Sequence, residues 1–192
     1  MKKQLLIFTA ISLFLLGCGE AGVEADISKV NEIEFSVSNL TESGLHTEFA
    51  SVNLAAEEFS DYLNDIESFK VNKIEIQISE VTADRASFGS DGGIGIALGG
   101  EILIEASRGV PGVELFADSN GNLLVTDKIV LYDEANPSNV QVRASAAAVD
   151  QLISALENRS VLQAFGAFRG EFENANFTVK IFLDLTARTQ ID

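Results

Sequence analysis

Few side chains in this sequence stand at spacings that could do chemistry. Asp118-Ser119-Asn120-Gly121-Asn122 offers oxygens at alternate positions, as calcium loops do, and Asp127 could join them. An EF-hand would need flanking helices and a glutamate about six residues past its glycine. Position 127 is Asp, position 129 is Ile, and both flanks read as strands. The segment therefore reads as a hairpin turn, with Asp118, Asn120 and Asn122 as weak calcium candidates and no metal expected. Gly92 to Gly100 (GGIGIALGG) is glycine-rich. No Gly-Lys-Ser/Thr follows it, and its spacing is not that of a dinucleotide fingerprint, so it reads as a flexible hairpin or edge strand and no cofactor is expected. His46 is the single histidine; it has no neighbouring nucleophile, and its register places it on an outward face. The 29 acidic residues allow many carboxylate pairs, none of them marked for glycoside hydrolysis. Cys18 is the single cysteine, which excludes internal disulfides and multi-cysteine metal sites.

Cys18 closes a patterned leader. Lys2 and Lys3 precede an apolar run, Leu5 to Leu16, broken only by Thr9 and Ser12. Twelve residues fall short of the roughly 20 that cross about 30 Å of hydrocarbon, and they match a secretory h-region. Leu15-Leu16-Gly17-Cys18 then resembles the lipobox of bacterial lipoprotein signal peptides. The resemblance covers residues 1–18 only. It implies that residues 1–17 are a signal peptide, that the Cys18 thiol receives a diacylglyceryl group, and that the new amino terminus is acylated after cleavage. Two or three acyl chains hold a protein to a bilayer where one is marginal, so the expectation is a chain anchored to a membrane rather than spanning it. Gly19, in place of the aspartate that retains enteric-type lipoproteins at the inner membrane, implies an outer-membrane destination in the cell envelope. Glu20, Glu24 and Asp26 resemble, loosely, the acidic signals that send some lipoproteins to the cell surface. A solvated tether explains them equally, so periplasmic and surface orientations both stay open.

The chain of 192 residues carries a formal charge of −16. Removal of residues 1–17 would take two lysines and no acid, leaving 29 acidic against 11 basic side chains, or −18. Phosphate binding needs clustered lysine and arginine, so no nucleic-acid partner is expected. Such a surface also repels anionic headgroups, which assigns membrane attachment to Cys18 alone.

The elements that must carry these residues are mostly strands. Residues 18–28 read as a flexible tether and residues 29–192 as a single β-rich domain. Ile33, Phe35 and Val37 alternate with polar residues, as do Leu45, Thr47 and Phe49, and Ile74, Ile76 and Ile78 within 70–82. Phe35, Phe49 and Phe59 occupy inward registers. Phe59, Leu63 and Ile66 at helical spacing predict a short helix over 55–65 with Asn53 as cap. Ile102, Ile104 and Ala106 run in register beyond Gly99-Gly100, where a bulge or hairpin is expected. Segments 113–117 and 123–132 flank the Asn-Gly turn as a hairpin. Val140 and Val142 suggest a short strand, Val149, Leu152, Ile153 and Leu156 a second helix capped by Ser145, and 160–173 a bent strand. The last strand alternates regularly from Phe177 to Ala187. The fold expected is mainly β: an antiparallel two-sheet β-sandwich with two short α-helices. The alternative is a curved antiparallel sheet packed on those helices.

Three functions follow in order. The first is a lipid-anchored cell-envelope protein, non-enzymatic, acting as a binding or structural module with an envelope protein as partner. The second is a carrier of an apolar or lipid ligand, motivated by Phe165, Phe168 and Phe182, which could line a cleft or face a partner. The third is a hydrolase with unmarked catalytic carboxylates. Sugar binding is disfavoured, because the chain has no Trp and only two Tyr to stack on rings.

Overall fold

Period-two alternation of branched and aromatic residues requires strands with one buried face, and strands so patterned bury that face against a second sheet. The computed structural model describes residues 23–55, 59–62 and 64–191. The strands are β1 (Val23–Leu40), β2 (Ser43–Val52), β3 (Ile66–Thr82), β4 (Arg85–Ser87), β5 (Gly93–Leu98), β6 (Glu101–Ser107), β7 (Ile129–Asp133), β8 (Leu162–Glu173) and β9 (Ala175–Ile191). One sheet has the order β1-β9-β3-β7; the other has the order β2-β8-β5-β6, with the short β4 also beside β8. Every pairing is antiparallel.

The pairings are nested. β1 pairs with β9, β2 with β8, β3 with β7, and β5 with β6. A long hairpin wound so that its successive pairs fall alternately in two sheets gives this order, which is the jelly-roll form of the two-sheet β-sandwich. The core lies between the sheets. Ile33, Phe35 and Val37 of β1, Ile74, Ile76 and Ile78 of β3 and Val179, Ile181, Leu183 and Leu185 of β9 meet Ile94, Ile96 and Leu98 of β5 and Phe168 of β8. Phe168 stands edge-on to Phe177, ring centroids 5.2 Å apart. Gly166 leaves room for two rings, since a Cβ there would sit 3.1 Å from the Phe168 ring and 3.5 Å from that of Phe35.

The one α-helix whose full span is described, α1 (Ala146–Glu157), buries Ala148, Val149, Leu152 and Leu156. It contacts β5 and β6 of one sheet and β3 of the other. Ser145 precedes it as expected, but its side chain makes no capping hydrogen bond; its backbone N–H donates instead to the Leu103 carbonyl at 3.0 Å. The expected helix over 55–65 is met by helical backbone at 54–55 and a 3-10 turn at Ser60–Tyr62, with residues 56–58 and 63 outside the described residues.

Three expected elements differ. Residues 23–28, read as part of the tether, belong to β1 and pair with β9 from Val23↔Ile191 onward. Segments 113–117 and 123–132 do not form a two-stranded hairpin. Val113–Leu115 is a 3-10 turn, one isolated bridge joins Ala117 to Leu123, and a strand begins only at Ile129. Val140 and Val142 form no strand; a 3-10 turn at Pro137–Asn139 precedes them, and Gln141 between them bonds β7 through its N–H to the Val130 carbonyl at 3.0 Å and through its Oε1, which accepts the Val130 N–H at 3.1 Å.

Candidate functional site

The two outer faces of the sandwich differ in chemistry. On the first sheet most outer side chains are polar and many are paired, with Val30 the large apolar residue left exposed there. Lys180 Nζ bonds Glu32 at 2.7 Å and lies 3.3 Å from Glu34. Glu32 and then Glu34 raise the Lys180 ammonium above its usual range, while the Ser36 hydroxyl, donating to Glu34 at 2.6 Å, and then Lys180 hold the Glu34 carboxyl below its own. Asn72 donates to Asp184 and Thr186, and Arg188 pairs with Asp26 at 3.2 Å. Phe182 lies on this face under Lys128, whose Nζ stands 3.5 Å from the ring centroid.

The second sheet presents an apolar outer face, and β2 is the reason. Its register sets Phe49 opposite Phe165 and Ala50 opposite Ala164. Ala164 is buried, so Ala50 faces inward and Phe49 outward. Phe49 is 76% exposed and Leu45 55% exposed. Both correct the inward placement that alternation had implied. His46 correspondingly lies on the inner side of this edge strand, half-buried, with its Nε2 2.8 Å from Glu48 Oε1. Because side chains alternate along a strand, one apolar set turned outward puts the polar set inside.

β6 turns a further apolar residue outward. Ile96 pairs with Ile104 but Ala97 pairs with Ile102, so Leu103 is an extra residue on β6. This bulge leaves Leu103 and Ile104 both buried and Ile102 55% exposed. The combined registers give three rungs across the face: Leu45–Arg169–Gly93–Ser107, Thr47–Ala167–Gly95–Glu105, and Phe49–Phe165–Ala97–Ile102. The β5 positions are all small. They floor a groove of ≈380 Å³ bounded by Leu45 and Phe165 on one bank and by Ile102 and Glu105 on the other. The Phe49 and Phe165 rings pack at 4.9 Å between centroids and raise the first bank. Its charged residues are Asp91 and Arg169 toward one end and Glu105 on the middle rung.

The other expected sites resolve as follows. Asp118 is the anchor of a tight turn. Its Oδ1 accepts the N–H groups of Asn120 at 2.8 Å and Asn122 at 2.9 Å, and its Oδ2 accepts Asn122 Nδ2 at 2.9 Å. Those bonds, the Asn122 side chain first, hold its carboxyl below the usual range. Arg108 donates to the carbonyls of Asn120 at 2.9 Å and Ser119 at 3.3 Å. Three donors thus already occupy the carboxylate and a cation covers the carbonyls, which is not an arrangement that receives calcium. Among the described residues no group of three or more His, Cys, Asp or Glu is placed to hold a metal ion. Phe165, Phe168 and Phe182 do not meet: they lie on the outer face of the second sheet, in the core, and on the outer face of the first sheet. Cys18 and residues 1–17 lie outside the described residues.

Of the groove residues, only Phe165 was named in advance as lining a cleft, although one signal for the floor was present. Gly93, Gly95 and Ala97 are small at every second position, so a strand there must show one face without side-chain bulk. The outward turn of Phe49 left no such trace.

No family model matches the chain, and no curated protein matches it. Among solved structures, it is similar to the decameric BFDV capsid protein, at 12% identity over 86% of this chain and 99% of that one, TM-score 0.38. It is also similar to the 60-mer BFDV capsid protein, at 10% identity over 90% and 97%, TM-score 0.33. Desmodium yellow mottle tymovirus follows at 8% identity over 100% and 95%, TM-score 0.28. Similarity of this degree assigns the chain no partner, assembly or origin. The class labels that the leader implied, a bacterial outer-membrane lipoprotein, find no support among these structures, which are a capsid protein and a virus. The domain's own geometry gives a β-sandwich with an apolar groove on one outer face and, among its described residues, no group of three or more His, Cys, Asp or Glu placed to hold a metal ion.

Proposed function

We propose that this chain is a non-enzymatic binding module, tethered to a membrane surface by acyl chains on Cys18, that docks a partner on the outer face of its second sheet. One observation carries the docking face. Leu45, Phe49 and Ile102, all more than half exposed, gather beside the Gly95–Ala97 groove on a protein whose other outer face is lined with ion pairs. Large apolar side chains gathered on an exposed face mark an interaction surface rather than chance exposure. The tether rests on Leu15-Leu16-Gly17-Cys18. From Cys18 to the first described residue, Val23, is five residues, a reach of at most about 18 Å. The module would therefore work close to the bilayer.

Two experiments test the two halves. Cys18→Ala in the full chain removes the acyl acceptor, and the protein is expected to move from the membrane fraction to the soluble fraction; retention in the membrane fraction refutes the tether. Phe49→Asp places a charge on the docking face at an exposed position, and partner capture by in-cell crosslinking is expected to fall at least tenfold; unchanged capture refutes the face. The small, apolar floor of the groove, Gly93, Gly95 and Ala97, also favours a second occupant, a small apolar ligand. Bound apolar mass in native mass spectrometry, lost on Gly95→Phe, would mark that case.

A further inference from the structure

We propose that the partner of this face is the same face of a second copy of the chain, the two related by a two-fold axis. The inference rests on the docking-face reading above and names its occupant. A closed symmetric pair needs a patch that is complementary to itself, and the second sheet has one in both shape and charge. In shape, a ridge of Phe49 and Phe165 stands beside a trough floored by Gly95 and Ala97. An axis parallel to the strands and passing between β8 and β5 lays β8 of one copy over β5 of the other, and β2 over β6. Phe165 then enters over Ala97 of the second copy, and Phe49 meets Ile102, each contact occurring twice.

In charge, Arg169 is exposed and makes no ion pair or side-chain hydrogen bond among the described residues. The same axis places it over Gly93 of the second copy, one rung and one strand from Glu105 there. Glu105 is likewise exposed and without an ion pair among the described residues. Elsewhere a net charge of −16 repels a second copy. Two copies can therefore approach most closely where apolar area and opposite charges face each other.

Three rungs across four strands cover roughly 400 Å² per copy, from strand spacings of about 4.8 Å and rung spacings of about 6.7 Å. That is about half of the roughly 800 Å² per partner in a stable complex. The pair is therefore weak in dilute solution and favoured where both copies are held on one membrane, which raises their effective concentration.

Charge exchange in the full chain tests this. A photo-crosslinking residue replaces Thr47, an exposed position on the middle rung, and adducts are sized from intact cells. The expected result is an adduct of twice the chain mass, reduced at least tenfold by Arg169→Glu alone and by Glu105→Arg alone. It is restored when the two variants, differently tagged, are expressed together, because each then supplies the charge the other lacks. Both substitutions are at exposed positions, and unchanged melting temperatures exclude misfolding. A doubled adduct that survives either single exchange overturns this pairing. An adduct only with a different protein overturns the second copy while leaving the docking face intact. No adduct from Thr47 overturns both.

Discussion

Truncation of two phenylalanines measures whether β2 is turned as described. Phe49→Ala removes a ring that is 76% exposed, so little buried area is lost. The ring contact with Phe165 at 4.9 Å is lost, which is about 0.5–1.5 kcal/mol. Phe168→Ala removes a ring only 1% exposed from a site where its edge meets Phe177 and its tip fills the space over Gly166. Deleting a buried ring from a core costs about 3–5 kcal/mol, because transfer and cavity terms add. For a domain of this size each kcal/mol lowers the melting temperature by about 2–4 °C. Phe49→Ala is therefore expected to lower Tm by less than about 6 °C, and Phe168→Ala by about 6–20 °C. Thermal and urea unfolding followed by circular dichroism measure both, with unchanged urea m-values as the check that the unfolded states match. A loss on Phe49→Ala equal to that on Phe168→Ala would refute the reasoning. Phe49 would then be inward, the β2 register would be displaced by one residue, and His46 would exchange faces with it.

Four further outcomes are expected. Gly92→Ala would bring a Cβ to 1.8 Å from the Phe88 carbonyl oxygen and 2.4 Å from that of Arg169; backbone must move, and a loss above about 3 kcal/mol is expected in urea unfolding. Gly95→Ala meets nothing nearer than Ala167 Cβ at 3.8 Å, so it is expected to be neutral or to stabilise by about 0.4–1 kcal/mol; a loss as large as that of Gly92→Ala would show that the groove floor is misplaced. The Asp118 carboxyl is held below its ordinary 3.8 by Asn122 first and then by backbone N–H groups. Its contribution is present above 3.8 and is lost as pH falls through the lowered folded value. Asp118→Asn should therefore flatten the acid limb of a Tm-against-pH curve below 3.8, and parallel limbs would refute that role. Millimolar calcium should leave Tm unchanged, because the Asp118 oxygens are already bonded to N–H donors; a rise of several degrees would reopen the loop as a metal site.

The parts of the fold legible in the sequence were those where burial and alternation coincide. β3 and β9 lie inside a sheet, and their branched residues at every second position are buried as read. Gly99-Gly100 closes the β5–β6 hairpin with both residues at positive φ, which glycine adopts without strain. Alternation failed where strands are held by something else. Residues 23–28 carry little apolar pattern, yet they pair with β9 through their backbone and through Ser28–Thr186, Asp26–Arg188 and Ala25–Thr189 contacts. β2 misled because its apolar residues face solvent, so the pattern was right and its direction reversed. The bulge at Leu103 likewise inverted Ile102 by inserting one residue that no spacing rule marks. The docking face was illegible for that same reason, since a face shown to a partner obeys the partner's chemistry and not the core's.

The nested pairing also fixes when this chain can fold. Among the described residues β1 pairs only with β9, and the Ser28–Thr186 bond joins residues 158 apart. Until the last strand is available, β1 has no neighbour in its sheet and β3 has only the short β7. Closing so distant a pair costs chain entropy before any contact repays it. Until those two strands meet, β1 is open along both edges, so it is the strand that must be kept from pairing elsewhere while the sheet is incomplete.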